Sequence, residues 1–189
     1  MPAAQSRPPP MPTEPPSPLE LAAGMSADIS DDGRYRYRLQ RDVMTAGRLG
    51  VIAAWYMVNP STADAENNDP TIKKVIGFSF RAGANKLVVC NKFAFRATDV
   101  RALRTARAPV GPENDAFIEA TMEQAHIHIV AWGPLAKLPK HLRRRWRDVV
   151  GIADRVGVKL LCLGTAQDGH PRHPLMVSYD TPMIEWKRP

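Results

Sequence analysis

Three short stretches gather the side chains with the most chemistry to offer. Asn59-Pro60-Ser61-Thr62-Ala63-Asp64 carries an amide, two hydroxyls and a carboxylate. Asn91-Lys92-Phe93-Ala94-Phe95-Arg96-Ala97-Thr98 carries a second amide, two rings and two cations. The third runs from Gly164 to Leu175 and includes Asp168, His170, Arg172 and His173. Amides and imidazoles present donors and acceptors together, which suits gripping and polarising a polar ligand. Asn, Pro, Ser and Asp are also ordinary turn formers, so each stretch alone could be a connection; only their convergence would make a site. Other chemistries have no sequence support. The chain lacks GxxxxGK[ST], GxGxxG after a strand, HExxH and paired CxxC, which removes the signatures of a P-loop ATPase, a dinucleotide oxidoreductase and a zinc centre. His126 and His128 sit two apart on a strand-like run with no third or fourth ligand in view, so neither a metal nor a cofactor is expected.

The elements that must position these stretches are legible from periodicity. Val51 to Val58, Leu87 to Cys90, Ile127 to Trp132 and Val158 to Leu163 are nearly continuous apolar runs, the pattern of strands buried on both faces. Helical signals fall between them. Asp69-Pro70-Thr71 offers an N-cap followed by proline, with Ile72, Val75 and Ile76 at helical spacing and Gly83 as a stop. Pro112-Glu113 opens a second helix through Phe117, Ile118 and Met122, and a third is expected over His141 to Val156, ending at Gly157. The order β-α-β-α-β-α-β with right-handed crossovers predicts a four-stranded parallel sheet covered by helices on both faces, a three-layer α/β/α sandwich. Strict alternation from Arg34 to Gln40 adds an antiparallel edge strand, with Tyr35, Tyr37 and Leu39 inward and Arg34, Arg36 and Arg38 on a wet, basic face. In such a sheet the ligand crevice lies beyond the carboxyl ends of the strands. All three polar stretches, and Gly133-Pro134, fall there.

The 189 residues suit one domain, assigned to 29–189. Residues 1–28 are expected to be a tail without fixed structure, because eight prolines fall within the first 18 positions. No apolar run approaches the roughly 20 residues of a membrane helix and no secretory leader is apparent, so a cytoplasmic, monomeric protein is expected. Cys90 and Cys162 each lie within an apolar run and read as buried thiols. Lysine and arginine outnumber the acids 26 to 19, for a net charge of +7, a balance that favours a polyanion. Lys137, Lys140, Arg143, Arg144, Arg145 and Arg147 form a basic run just after the third long strand.

Five separated motifs, MVNPSTADAENNDPTIKKV, VCNKFAFRAT, PVGPENDAFI, AWG and CLGTAQDGHPRHPLMV, occur in order between Arg34 and Trp186. Together they resemble a bacterial and phage family known only as a domain of unknown function, DUF1643. The same loops more remotely resemble the uracil-DNA glycosylase superfamily, in which four parallel strands lie between helices. Its first motif includes Asn-Pro, an Asn follows its second strand, and its last motif contains His-Pro-Ser. Val58-Asn59-Pro60-Ser61, Asn91 and His173-Pro174 stand in those places; Leu175 replaces the Ser, and Arg172 precedes the His.

This second resemblance implies a cofactor-independent N-glycosidase acting on a uracil or modified base flipped out of DNA. It assigns Asn59 to the water and base, Asp64 to general-base work, and His173, with His170 as competitor, to a hydrogen bond on the departing base. Pro60 and Ser61 would shape the pocket, Asn91 would read the base edge, and Phe93 or Phe95 would stack on it. Leu175 or Met176 would wedge the vacated stack, with Arg172 beside it, and Lys137, Lys140, Arg143, Arg144 and Arg145 would hold phosphates. Two other readings stay open: a non-catalytic nucleic-acid or nucleotide-binding module, and a hydrolase of free modified nucleotides.

Overall fold

A computed structural model describes residues 24–43, 50–61 and 67–189. The Pro-rich stretch to residue 23, and Asp64, lie outside them. The four apolar runs form strands: β3 (Ile52–Met57), β4 (Lys86–Asn91), β5 (Ile127–Val130) and β6 (Leu161–Cys162). Two strands precede them, β1 (Met25–Ile29) and β2 (Arg36–Asp42), and β7 (Ile184–Glu185) closes the chain. They make one seven-stranded sheet in the order β1-β2-β4-β3-β5-β6-β7. The central four are parallel, and β1, β2 and β7 are antiparallel to their neighbours.

Helices cover both faces. α1 (Pro70–Arg81) starts where Asp69 accepts from the Ile72 amide at 2.8 Å, with Pro70 in the first turn. Ile72, Val75 and Phe78 pack on Trp55, Leu87 and Ile129, and the Trp55 indole donates to Ser79 at 2.9 Å. On the other face, α2 (Asn114–Gln124) and α3 (Trp146–Val156) bury Ile118, Met122, Val149 and Ile152 against Ala54, Tyr56, Val88 and Val130. The chain leaves β3 for α1 on one face and β5 for α3 on the other. These adjacent strands therefore splay their following loops apart, which opens a crevice at their carboxyl ends.

Three expectations need correction. β2 is not an edge strand: β1 lies outside it, beginning at Met25 inside the expected tail. The supposed wet face is consequently buried, Arg36 and Arg38 being 2% and 3% exposed. Arg38 is kept there by Asp28 on β1, 2.7 Å from its Nε, and by the Phe117 ring 4.7 Å away. The expected third helix is divided into a 3₁₀ segment, Lys140–Arg145, and α3 proper. The run to Leu163 yields only a two-residue strand.

Candidate nucleobase site

A cleft of about 670 Å³ occupies the predicted crevice, within the roughly 300–1,000 Å³ of small-ligand sites. Met57 pairs with Asn91 in the β3–β4 register, so both strands stop at the same level and deliver their asparagines to one rim. Asn59, Ser61, Asn91, Lys137 and His173 all line it. Asn59 donates through Nδ2 to the carbonyls of Ala97, at 2.6 Å, and Pro60, at 3.1 Å. Two acceptors on one nitrogen fix the amide orientation and leave Oδ1 as the atom able to meet a ligand. Asn91 is 2% exposed, and its Nδ2 has no hydrogen-bond partner. A buried amide donor left unmade costs about 1–3 kcal/mol, so the strand end carries a standing demand for an acceptor.

His173 begins a short 3₁₀ turn, Pro174–Met176, and its Nδ1 accepts from the Leu175 amide at 3.4 Å. The ring proton therefore sits on Nε2. Burial, helped by the Lys137 ammonium and opposed by Asp69, holds its pKa below the usual histidine value. A neutral imidazole presenting an N–H suits stabilising charge that develops on an oxygen without first losing a proton. Gly133, at φ +73°, lies under this histidine: a Cβ there would meet the His173 Cβ at 3.4 Å. Glycine thus serves the left-handed backbone, while the space toward His173 would admit an ordinary contact.

Sequence reasoning missed several lining residues. Arg36 reaches the cleft from β2; burial lowers its pKa to about 10 against the pull of Asp69. The first turn of α1, Thr71 and Ile72, also faces the cleft, adding the positive end of a helix. Asp69 is engaged as the α1 cap. Asp99 accepts from the Arg101 amide and side chain, which holds its carboxyl below the usual range. Recognition that β2 is interior would have revealed Arg36. The Asp69 cap was legible, and its position at a carboxyl strand edge was the signal for the rest.

Other expected site residues lie elsewhere. Phe93 is fully buried with Leu103 and Leu138, and Phe95 stands edge-on to Tyr35 in a separate groove. Neither can stack on a ligand in the cleft, because alternation along the chain after β4 turns both into packing. Pro60 is buried, contributing its carbonyl to Asn59 and to the Ala97 amide. His170 is enclosed by Trp132, Trp146 and Trp186 on the α3 side of the sheet, where its Nδ1 accepts from the Trp132 indole. It does not compete with His173. Arg172 and Leu175 are exposed beside the cleft and do not line it. Arg145 is not a surface cation. It is 7% exposed, donates to the Lys92 carbonyl at 2.9 Å, and pairs with Asp115 and Asp148. Lys140 and Arg143 instead line an adjoining groove, and Arg144 is exposed outside both hollows. His126 accepts from the Ile52 amide and His128 bonds the Tyr56 hydroxyl, so both serve packing.

A family model described as "Protein of unknown function (DUF1643)" matches residues 36–175. The chain belongs to this family. The DUF1643 match spans every lining residue of the cleft, from Arg36 to His173. Comparison with curated proteins and with solved structures returned no match. No helix among the described residues is long and apolar enough to cross a membrane.

Proposed function

We propose that this DUF1643 chain is an N-glycosidase that releases a uracil or modified base from DNA, with the base seated in the cleft among Asn59, Asn91 and His173. The observation that carries this reading is the combination of a buried, unpartnered Asn91 donor with a His173 fixed as a neutral Nε2–H donor on one rim. Cleaving a base from its sugar passes through an oxocarbenium-like sugar while negative charge builds on the departing base. Asn91 Nδ2 supplies recognition of a base carbonyl. His173 supplies a hydrogen bond where charge develops, worth about 3 kcal/mol for a well-placed donor. Arg36 and the α1 N-terminus add a positive field behind them. Asn59 Oδ1 would hold the attacking water. Asp99 is engaged through both carboxyl oxygens and Asp69 through Oδ1 alone; Asp64, the general base expected from the sequence, lies outside the described residues.

Entry of the base requires it to leave the stack at a cost of a few kcal/mol. Leu175, 42% exposed, and Met176, 85% exposed, follow His173-Pro174 and would serve as the apolar wedge. A parallel four-strand centre with helices on both faces is compatible with a uracil-DNA glycosylase-like sandwich, which belongs to the same proposal. The hydrolase of free nucleotides draws support from Arg36 and the α1 N-terminus, which could take a phosphate inside the cleft.

Oligonucleotides carrying uracil, mismatches or modified pyrimidines, incubated with the protein and cleaved at abasic sites with alkali, test the assignment. Strand scission is expected with the native chain and should fall on the order of 10²-fold or more in Asn59→Ala and His173→Ala. Scission that survives both substitutions, or release confined to mononucleotides, would refute it.

A further inference from the structure

Beside the cleft lies a second hollow of about 550 Å³, lined by Arg101, Arg104, Lys137, Pro139, Lys140 and Arg143 together with Leu138 and His141. No carboxylate is among its lining residues. Arg101, Lys137 and Leu138 line both hollows, so the two lie side by side. One wall is the 3₁₀ turn Val100–Arg104; the other is the segment from Lys137 through the start of the 3₁₀ segment Lys140–Arg145. Arg143 is held in place by donating to the carbonyls of Leu138 and Ala136, bonds that leave its charge uncompensated. Arg101 is tied to Asp99 at 2.7 Å, while Arg104, Lys137 and Lys140 meet no carboxylate among the described residues. Concentrating cations on facing walls is electrostatically unfavourable unless a polyanion lies between them.

We infer that this groove is a track for the sugar-phosphate backbone of a single strand, which it leads into the cleft. The inference rests on the nucleobase reading of the cleft and names the polymeric form of its substrate. Opposed basic walls can neutralise one backbone from both sides. At about 550 Å³ the hollow has the size of a small-ligand site, room for a few nucleotides of one strand between its walls. The lining holds no aromatic residue apart from His141, so the track grips phosphates with little dependence on base identity.

The test is fluorescence anisotropy of the full chain with a labelled single strand of about 12 nucleotides bearing an abasic residue at its centre, with the matching duplex, and with a mononucleotide. Binding should be tightest for the single strand, with log K falling against log salt by about 0.7 for each phosphate engaged. Arg104→Ala and Lys140→Ala, both exposed and outside the cleft's catalytic set, should each weaken it several-fold and flatten that slope by about 0.7. Arg155→Ala, at a remote pair with Glu119, should change neither. Equal or tighter duplex binding, or a slope unchanged by both substitutions, would overturn the track. Because the probe has no central base, failure of the glycosidase reading does not affect this outcome. Base release retained without single-strand preference would sink the track alone.

Discussion

At the scale of single residues, Asn91 separates a functional from a structural role. Its Nδ2 is buried without a partner, so replacing it with an apolar side chain of similar size removes a penalty of about 1–3 kcal/mol. Asn91→Leu is accordingly expected to match or exceed the native thermal midpoint while base release falls at least tenfold, measured on the same preparation. A variant that lost both together would mark Asn91 as packing. Asn59 differs: its Nδ2 ties the loop after β3 to Ala97. Residue types were readable from the sequence at both asparagines and at His173. What could not be read was which atoms remain available, because that depends on carbonyls contributed by distant segments. Phe93 and Phe95 show the same limit from the other side, since an aromatic residue near a site is more often core than ligand platform.

At the scale of elements, near-continuous apolar runs announced β3, β4 and β5, and the Asp69-Pro70 signal placed the start of α1 where the structure has it. Those features are local, and local chemistry decides them. β1 was invisible because Met25–Ile29 has weak strand character and is stabilised by pairing with β2, a long-range effect that also buries Arg36 and Arg38. The segment Lys140–Arg145 was read as one basic surface, yet Arg145 turns inward to clamp β4 to α2 through the Lys92 carbonyl and Asp115. Losing hydrogen bonds to a charged group costs about 1.5–3 kcal/mol each. Arg145→Ala should therefore lower the denaturation midpoint by several degrees and leave the salt dependence of DNA binding unchanged. A flattened salt slope with intact stability would return Arg145 to the surface.

At the scale of the whole molecule, stability should follow an unusual course with pH. Burial depresses the pKa of His128, His170 and His173, so the unfolded chain holds protons that the folded chain has released. Stability gained this way is complete above the ordinary histidine value, about 6.5, and is lost as pH falls through and below it. Lys92, buried beside the Trp132 ring and repelled by Arg145, is pushed down to about 7. From pH 7 up to the ordinary lysine value, about 10.4, the unfolded chain again holds the extra proton, and this contribution to stability keeps rising. Above the ordinary thiol value, about 8.5, Cys90, raised to about 11 by burial, offsets that rise, because the folded chain then keeps a proton the unfolded chain has lost. Thermal denaturation at pH 5 to 10 should show both limbs, and Lys92→Met should flatten the second; a curve level from pH 7 to 9 in the native chain would refute the account of Lys92. Of these groups His173 alone lines the cleft, and the proposed work of the cleft depends on it. The most direct test is the ¹⁵N resonance spectrum of His173 in the full chain at pH 7.5, with and without added uracil. A proton on Nε2, whose signal moves on addition while that of exposed His141 stays still, is the predicted result. A proton on Nδ1, or an Nε2 signal indifferent to saturating base, would contradict it.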